Sequence, residues 1–340
     1  MWTRSIPPVG FGDVSVTRAA QRGLDASDLR RAVEHVIESG LDLIDVAAEE
    51  AAESLVADSI RALRVRDRVI AAYRIPAITQ RLGIPTRDTL PERLPPRYIV
   101  DRVESILRST RLDALPLAQL ALRAFFRSSP AWPEVSGTCA RLVREGKVLA
   151  WAAFVDVIED DTPALADEPW LAAISVPYSL CERAAEPLVD LAALVSAPQP
   201  SAAAERRLAI LARRPLAGAA LAGALGPGVK LRLHDDRRNI DDPTLERIAI
   251  AVAKLAAFAK QTPPAAFACT AARAQLERNR RPDELHVQSV AELALRYVTT
   301  RGAIALPRLH RKEHVGDALL AAHSPPLPRD LLDQLADLDI

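Results

Sequence analysis

Short apolar runs alternate with amphipathic segments along almost the whole length of this chain of 340 residues. Runs such as "LDLIDVA", "RVIAAYR" and "LPLAQLALR" are typical of strands buried on both faces in a parallel sheet. Amphipathic helical segments follow them, as in residues 53–63. About eight strand–helix units over this length favour a (β/α)₈ barrel. An open doubly wound sheet is the alternative, although neither G-x-G-x-x-G nor G-x-x-x-x-G-K-[ST] occurs to support a nucleotide site of that kind.

The charge balance and the cysteines limit the classes of partner and the compartment. Acidic and basic residues number 44 each, so no overall field favours nucleic acid or an anionic membrane as a partner. Cys139, Cys181 and Cys269 are odd in number and far apart, which excludes a disulfide framework and fits a reducing compartment. The N-terminus lacks the apolar core of a signal peptide, and no apolar run is long enough to span a bilayer. We therefore expect a soluble cytoplasmic protein.

Two segments interrupt the rhythm of strands and helices. The proline-rich stretch that begins at Pro76, together with "PPRYIVDR" at its end, is predicted to form a loop over the mouth of the barrel. Such loops select ligands in this class of fold, but a loop without a role in the chemistry fits the sequence equally well. Residues 262–287 are predicted to be an insertion. The sequence therefore predicts one barrel domain over residues 1–340 that carries this insertion.

Several motifs, taken in order over nearly the whole chain, resemble the aldo-keto reductases. They are "VGFG", "GLDLIDVA", "STRLDALPLAQL", "REGKVLAWAAF", "PYSLCERAAE", "ARRPLAGAALAG" and "IALPRLHRKEHVGDALLA". The resemblance implies a (β/α)₈ barrel with NADP(H) bound at the carboxyl-terminal face. It also implies a reaction in which hydride passes from nicotinamide to a carbonyl. In that reaction a tyrosine donates the proton, a lysine lowers the pKa of the tyrosine, an aspartate holds the lysine and a histidine orients the carbonyl oxygen.

Only one of those four positions keeps the residue type that the family pattern implies. Asp45 matches the aspartate. Glu50 stands at the tyrosine position, or Glu49 if the register shifts by one. Arg74 stands at the lysine position, or Tyr73 if that register shifts by one. Arg123 stands at the histidine position. Independently of any alignment, the first lysine of the chain is Lys147, and His35 is the only histidine before His234. The candidate catalytic residues are therefore Asp45, Glu50, Tyr73, Arg74 and Arg123.

The positions that resemble the family's cofactor site also differ from its pattern. Phe154 and Val155 replace a serine and an asparagine, and Ser175 replaces a glutamine. Arg213 stands where a tyrosine stacks on nicotinamide, and Ala318 replaces an asparagine of the last loop. The arginines and the lysine of that loop precede a helix N-terminus, where a phosphate is favoured. The candidate cofactor-binding residues are Tyr178, Arg213, Arg308, Arg311 and Lys312.

The candidate catalytic residues allow three interpretations. Four of these residues are expected to converge at one barrel mouth, namely Asp45, Glu50, Arg74 and Arg123. They would form either a structural ion-pair network or a site that binds an anion, in which Glu50 would act as acid or base. The favoured hypothesis is a pseudoenzyme, or a barrel that has come to bind an anionic small ligand or to catalyse another reaction. The alternative is an NADP(H)-dependent carbonyl oxidoreductase with Glu50 or Tyr73 as proton donor. A regulatory subunit that binds a protein partner is the third hypothesis.

The segment "HRKEH", from His310 to His314, matches the H-x-x-E-H pattern of one group of zinc peptidases. It follows Pro307 directly and lies among basic residues at a strand-to-helix junction. That context favours a solvated helix start, so the sequence predicts no metal site.

Overall fold

Eight parallel strands form a barrel in the part of the chain that the structure describes. The computed structural model describes residues 6–79, 83–196, 208–223, 225–231, 235, 237, 240–261 and 289–338. Each strand pairs with the next in chain order, so the predicted (β/α)₈ barrel is confirmed over the doubly wound alternative. The strands are β1 Phe11–Val14, β2 Leu43–Val46, β3 Ile70–Ile75, β4 Leu117–Ala121, β5 Trp151–Phe154, β6 Leu171–Pro177, β7 Ala209–Arg213 and β8 Ile304–Leu306.

The first and last strands meet at a seam that contains two glycines. The N–H of Gly10 donates to the carbonyl of Ala305 at 2.9 Å, and the N–H of Gly12 donates to the carbonyl of Pro307 at 2.8 Å. A β-carbon on Gly12 would lie 2.0 Å from the carbonyl oxygen of Leu306. The seam therefore closes only because these positions lack side chains.

Helices cover the outside of the sheet. Their bounds are α1 Val16–Gln21, α2 Ala26–Glu38, α3 Glu50–Ala62, α4 Leu90–Arg93, α5 Pro96–Thr110, α6 Trp132–Arg144, α7 Glu186–Ser196, α8 Asp242–Gln261, α9 Val290–Thr300, α10 Lys312–His323 and α11 Arg329–Ala336. Within the described ranges, 3₁₀ segments lie at Arg87–Thr89, Ala124–Ser128, Thr162–Asp167 and Ala217–Ala222.

Helix α2 illustrates how local sequence determines these elements. Asp25 accepts a hydrogen bond from the N–H of Asp28 at 2.8 Å, and Asp28 accepts one from the N–H of Asp25 at 3.1 Å. This capping box satisfies two backbone donors at the helix start. Leu29, Val33, Val36 and Ile37 form the apolar face of this helix and are completely buried, and the chain then turns at Gly40 with φ +87°.

Side chains alternate between the barrel interior and the helix layer along each strand. On β3 the side chains of Ile70 and Ala72 lie in the interior, whereas Ala71 and Tyr73 pack in the core between sheet and helices. The interior core consists of Leu43, Ile70, Ala72, Leu117, Ala150, Ala152, Ala173, Leu211 and Leu306. The same period of two directs the residues at the carboxyl ends of the strands into the mouth.

The predicted insertion at residues 262–287 falls outside the described residues. None of the helices in the described part of the chain is long and apolar enough to cross a bilayer.

Candidate functional site at the barrel mouth

A cavity of about 1200 Å³ lies at the carboxyl ends of the strands. We call it the mouth cavity. Pro76, Ala77 and Thr79 after β3 and the segments after β7 and β8 form much of its wall. Among the described residues, its charged and imidazole lining consists of seven arginines (Arg18, Arg22, Arg74, Arg213, Arg214, Arg237 and Arg308), four aspartates (Asp13, Asp45, Asp156 and Asp317) and two histidines (His310 and His314). Arg214 and Arg237 pair with Glu182 and Asp235, which lie outside this lining. Three of the other arginines share the carboxylate of Asp13, and this concentration of arginine makes the cavity attractive to anions.

Asp45, on β2, is 1% exposed and accepts four hydrogen bonds. Arg74 on β3 donates two of them, from Nε to Oδ1 at 3.2 Å and from Nη2 to Oδ2 at 2.5 Å. The amide Nε2 of Gln119 donates to Oδ1 at 2.7 Å, and the backbone N–H of Asp13 donates to Oδ2 at 3.0 Å. A buried carboxylate needs such partners, and here β1, β3 and β4 supply them.

Asp13 extends these contacts into a network of alternating charge, the mouth network, made of Asp13, Arg18, Asp45, Arg74 and Arg308. Oδ1 of Asp13 accepts from Nη1 of Arg74 at 3.0 Å, and Oδ2 lies 2.7 Å from Nη2 of Arg308 and 3.1 Å from Nη1 of Arg18. Burial lowers the pKa of Arg74, but the carboxylates of Asp45 and Asp13 outweigh burial and raise it above its usual value. Burial raises the pKa of Asp13, but Arg74, Arg308 and Arg18 together hold it below its usual value. Asp13 and Arg74 are therefore both charged at neutral pH.

Phe154, the last residue of β5, carries two arginines on its ring. The guanidinium carbon of Arg213 lies 3.8 Å from the ring centroid and that of Arg74 lies 4.6 Å from it, distances at which cation–π attraction operates. Arg213 also donates to Oδ1 of Asp156 at 3.0 Å and to the carbonyl oxygen of Val155. Arg213 thus covers the face of Phe154. It is the residue that stands where the family resemblance implies a tyrosine stacked on nicotinamide.

Glu50 does not converge with Asp45 and Arg74. It is the first residue of α3 and is exposed. Glu49, its shifted alternative, accepts from the hydroxyl of Ser15 at 2.5 Å. The residue of this loop that lines the mouth cavity is Ala48, because the loop between β2 and α3 is too short to bring either glutamate inward. The alanine methyl group has no proton to donate.

Arg123 also lies apart from the other candidate catalytic residues. It follows β4 and pairs with Glu159, to whose Oε2 its Nε donates at 3.1 Å. Its guanidinium carbon lies 5.4 Å from the ring centroid of Phe125. The lining of the mouth cavity, as the described residues form it, does not include Arg123. Of the four residues expected to converge, the structure brings together Asp45 and Arg74.

Tyr73 points away from the mouth. It precedes Arg74 on β3, so the alternation of side chains directs its ring into the helix-facing core, where it is completely buried. Its hydroxyl has no hydrogen-bond partner among the described residues. Burial, reinforced by Glu53, raises the pKa of this hydroxyl well above its usual value. In this position the ring has a packing role and no contact with the cavity.

Replacing Tyr73 by phenylalanine is expected to leave ligand binding unchanged and to raise the free energy of unfolding by about 1 kcal/mol, because a buried hydroxyl without a partner is costly. Urea-induced unfolding of the two proteins measures the difference. A loss of more than about 1 kcal/mol in the variant would mean that the hydroxyl has a partner that matters to stability.

The candidate cofactor-binding residues divide between the cavity and its surroundings. Arg213 and Arg308 line the mouth cavity. Arg311 and Lys312 are exposed at the start of α10. Tyr178 is completely buried and packs against Tyr297, with ring centroids 6.4 Å apart. Arginine side chains alone among these five candidates therefore face the cavity.

His310 and His314 line the wall after β8, a position that the sequence motif alone did not assign to the cavity. Burial, together with Arg308, lowers the pKa of His310 to about 4, and burial together with Arg311 lowers that of His314. Both imidazoles are therefore neutral at neutral pH. Among the described residues, no group of three or more histidine, cysteine, aspartate or glutamate side chains is arranged to hold a metal ion.

Sequence reasoning missed Asp13, Arg18 and Gln119. The signal for Gln119 was a lone amide in the middle of an apolar strand, since a buried polar side chain there needs a partner. Asp13 had a weaker signal, as an acid directly after the glycines of β1. Arg18 had no signal, because its contact with Asp13 depends on how α1 leaves the strand.

The arrangement of the mouth suits binding of negative charge better than transfer of a proton. A general acid must carry its proton at the operating pH and release it in the reaction. Arginine cannot release its proton at ordinary pH, and His310 does not carry the second proton there. The aspartates of the mouth network are held by arginines as acceptors. What remains is a cavity rich in fixed positive charge.

Among solved structures, a glycerol dehydrogenase from Gluconobacter oxydans is 17% identical, with a TM-score of 0.70 over 99% of this chain and 92% of that chain. An aldo-keto reductase from Klebsiella pneumoniae, solved in complex with NADPH, is 23% identical, with a TM-score of 0.60 over 97% of this chain and 90% of that chain. The holo form of an aldo-keto reductase from Bacillus halodurans is 19% identical, with a TM-score of 0.62 over 97% of this chain and 92% of that chain.

These structures share the barrel fold with this chain. The sequence model of the aldo/keto reductase family matches residues 8–340, and the chain therefore belongs to the aldo/keto reductase family. The family suggested by the sequence motifs is thereby confirmed. A comparison with curated proteins gives no significant match.

Proposed function

We propose that this family member binds an anionic small molecule in the mouth cavity and does not carry out the family's carbonyl reduction. The observation that carries the proposal is the concentration of arginine in the described lining, where Arg18, Arg74 and Arg308 converge on the single carboxylate of Asp13. Arginine is the side chain best suited to hold a carboxylate or a phosphate, because its planar N–H donors match both groups.

The residues beside Asp45 support the absence of reduction. Reduction of a carbonyl requires a proton donor next to the developing alkoxide. Ala48 faces the cavity in the loop where the resemblance implies the tyrosine, and Arg74 contacts Asp45 where the resemblance implies the lysine. Tyr73 and Glu50, the non-standard donors considered from the sequence, lie outside this lining. These positions support ligand binding as the activity of the cavity.

The residues present do not fit NADP(H) at two of its expected contact points. At the nicotinamide end, Arg213 covers the ring of Phe154 at 3.8 Å, and a phenylalanine ring has no hydrogen-bond partner for a carboxamide. At the phosphate end, Arg311 and Lys312 lie outside the cavity lining, so that Arg308 alone of the three candidates in that loop faces the cavity. We therefore favour a ligand smaller than a dinucleotide.

The second candidate is an NADP(H)-dependent oxidoreductase. The neighbouring aldo-keto reductase from Klebsiella pneumoniae was solved in complex with NADPH, and a cavity of about 1200 Å³ is large enough for a ligand of that size. This candidate requires Arg213 to leave Phe154 when the cofactor binds.

Two experiments on the full chain separate the two candidates. The first is titration with NADPH, followed by nicotinamide fluorescence. The second is an assay of NADPH consumption with a panel of aldehydes and ketones. We expect no turnover above the rate without protein. In parallel, calorimetric titration with inorganic phosphate is expected to show binding that Arg213→Met weakens by about tenfold, because one desolvated charge contact is lost.

Arg123→Met is the matched control for this experiment, since Arg123 pairs with Glu159 outside the cavity lining. It should leave phosphate binding unchanged. Carbonyl-dependent oxidation of NADPH by the unaltered chain would overturn the proposal in favour of the oxidoreductase. Equal effects of the two arginine variants would show that binding is not in the cavity.

A further inference from the structure

Three arginine side chains from different elements direct their guanidinium groups at one carboxylate, that of Asp13. Arg74 on β3 contacts Oδ1 at 3.0 Å, whereas Arg308 after β8 and Arg18 on α1 contact Oδ2 at 2.7 and 3.1 Å. All four side chains line the mouth cavity. Convergent arginines are the usual means by which proteins hold the carboxylate of a ligand.

Here the carboxylate belongs to the chain itself and lies at the cavity surface. The Asp13 side chain is 16% exposed, and those of Arg308 and Arg18 are 22% and 46% exposed. A molecule in the mouth cavity therefore has direct access to this group of arginines. A carboxylate that replaced that of Asp13 would meet the same donors and leave the charge pairing of the site unchanged.

The backbone of Asp13 does not by itself favour this position. Its φ is +54°, in the left-handed region that side-chain-bearing residues adopt only when local contacts compensate. The contacts here are those of the carboxylate with the arginines and that of the N–H with Asp45 at 3.0 Å. When the arginines bind another carboxylate, a large part of what holds the Asp13 side chain is removed.

We propose that Arg18, Arg74 and Arg308 form a carboxylate-binding site within the mouth cavity, which Asp13 fills until the carboxylate of a small organic acid displaces it. This inference rests on the proposed function, that the cavity binds an anion. It adds that the anion is a carboxylate and that Asp13 competes with it. Asp13 acts as a positioning residue that sets the affinity and the selectivity of the site.

The test is calorimetric titration of the full chain with acetate, and separately with inorganic phosphate, at one ionic strength and neutral pH. Asp13→Asn keeps the size, the N–H and the tolerance for positive φ, but removes the competing charge. We expect this variant to bind acetate roughly tenfold or more tightly than the unaltered chain, since a unit charge a few ångströms from the ligand is lost. Asp13→Gly, which also accepts this φ, should behave alike and serves as the second variant should Asp13→Asn not fold.

Glu159→Gln is the matched control, because it removes an arginine-paired carboxylate at the same end of the barrel but outside the cavity lining. It should leave acetate affinity unchanged. Arg18→Ala in the Asp13→Asn background should abolish the gain. Unchanged acetate affinity in both Asp13 variants would overturn the proposal, as would a gain for phosphate without one for acetate. These outcomes are separate from turnover of NADPH, which decides the proposed function.

Discussion

Replacement of Arg74 by methionine is expected to lower the free energy of unfolding by about 3–5 kcal/mol, the range for removing one partner of a buried ion pair. Asp45 is 1% exposed and receives two of its four hydrogen bonds from Arg74. Without the guanidinium its negative charge stays buried with only Gln119 and the N–H of Asp13 as donors. Urea-induced unfolding, followed by circular dichroism, measures the loss.

Arg123→Met provides the matched control for this prediction. Arg123 and Glu159 are each 25% exposed, so breaking their pair should cost about 1 kcal/mol or less. The double variant Asp45→Asn with Arg74→Met removes both charges and should regain part of the loss. If Arg74→Met and Arg123→Met prove equally mild, the pairing at the mouth is not a source of stability.

Replacement of Gly12 by alanine is the second change with a large expected effect. It is expected to lower the free energy of unfolding by about 3 kcal/mol, which is at the upper end of the usual cost of overpacking. The new methyl group would lie 2.0 Å from the carbonyl oxygen of Leu306 and 2.7 Å from its carbonyl carbon. Backbone atoms of a paired strand cannot move aside as a flexible side chain can. The strands β1 and β8 must therefore separate, which weakens the bond from Gly12 to Pro307.

Gly137→Ala is the control for Gly12→Ala. Gly137 lies inside α6, and a β-carbon there meets nothing within 4 Å. Alanine in a helix interior is favoured over glycine by about 1 kcal/mol, so this variant should unfold at higher urea concentration than the unaltered chain. A Gly12→Ala protein as stable as the unaltered chain would show that the seam has room for a side chain.

The parts of the site that lie on strands were accessible from sequence, whereas those in loops were not. The family resemblance assigned Asp45 and Arg74 to one site, and such an assignment holds well on strands, because strand side chains have a fixed period of two and adjacent parallel strands keep their carboxyl ends together. Tyr73 and Arg74 remained ambiguous, since a shift of one residue reverses the side on which each lies. The structure resolves that ambiguity, with Arg74 inside and Tyr73 outside.

Glu50 and Arg123 depended on loop geometry, which has no such period. The loop after β2 ends at α3 within four residues of the strand, so that Ala48 and neither glutamate faces the cavity. Arg123 begins a 3₁₀ segment that directs it to Glu159. The contact of Asp13 with Arg308 joins residues that are 295 positions apart. No local sequence pattern predicts a contact over that separation.

The mouth network also restricts the order in which this chain can accumulate mutations. Because Asp13, Asp45 and Arg74 each depend on the others for their pairing, the effect of a substitution at one depends on the residues at the other two, and such effects are not additive. A lysine in place of Arg74 would keep the charge but lose the fork that serves both aspartates at once. Introducing a proton donor at Ala48 would then act on an already weakened mouth. Placing a lysine and a proton donor in this mouth therefore requires coordinated changes, because each single substitution weakens the mouth network before the last is made.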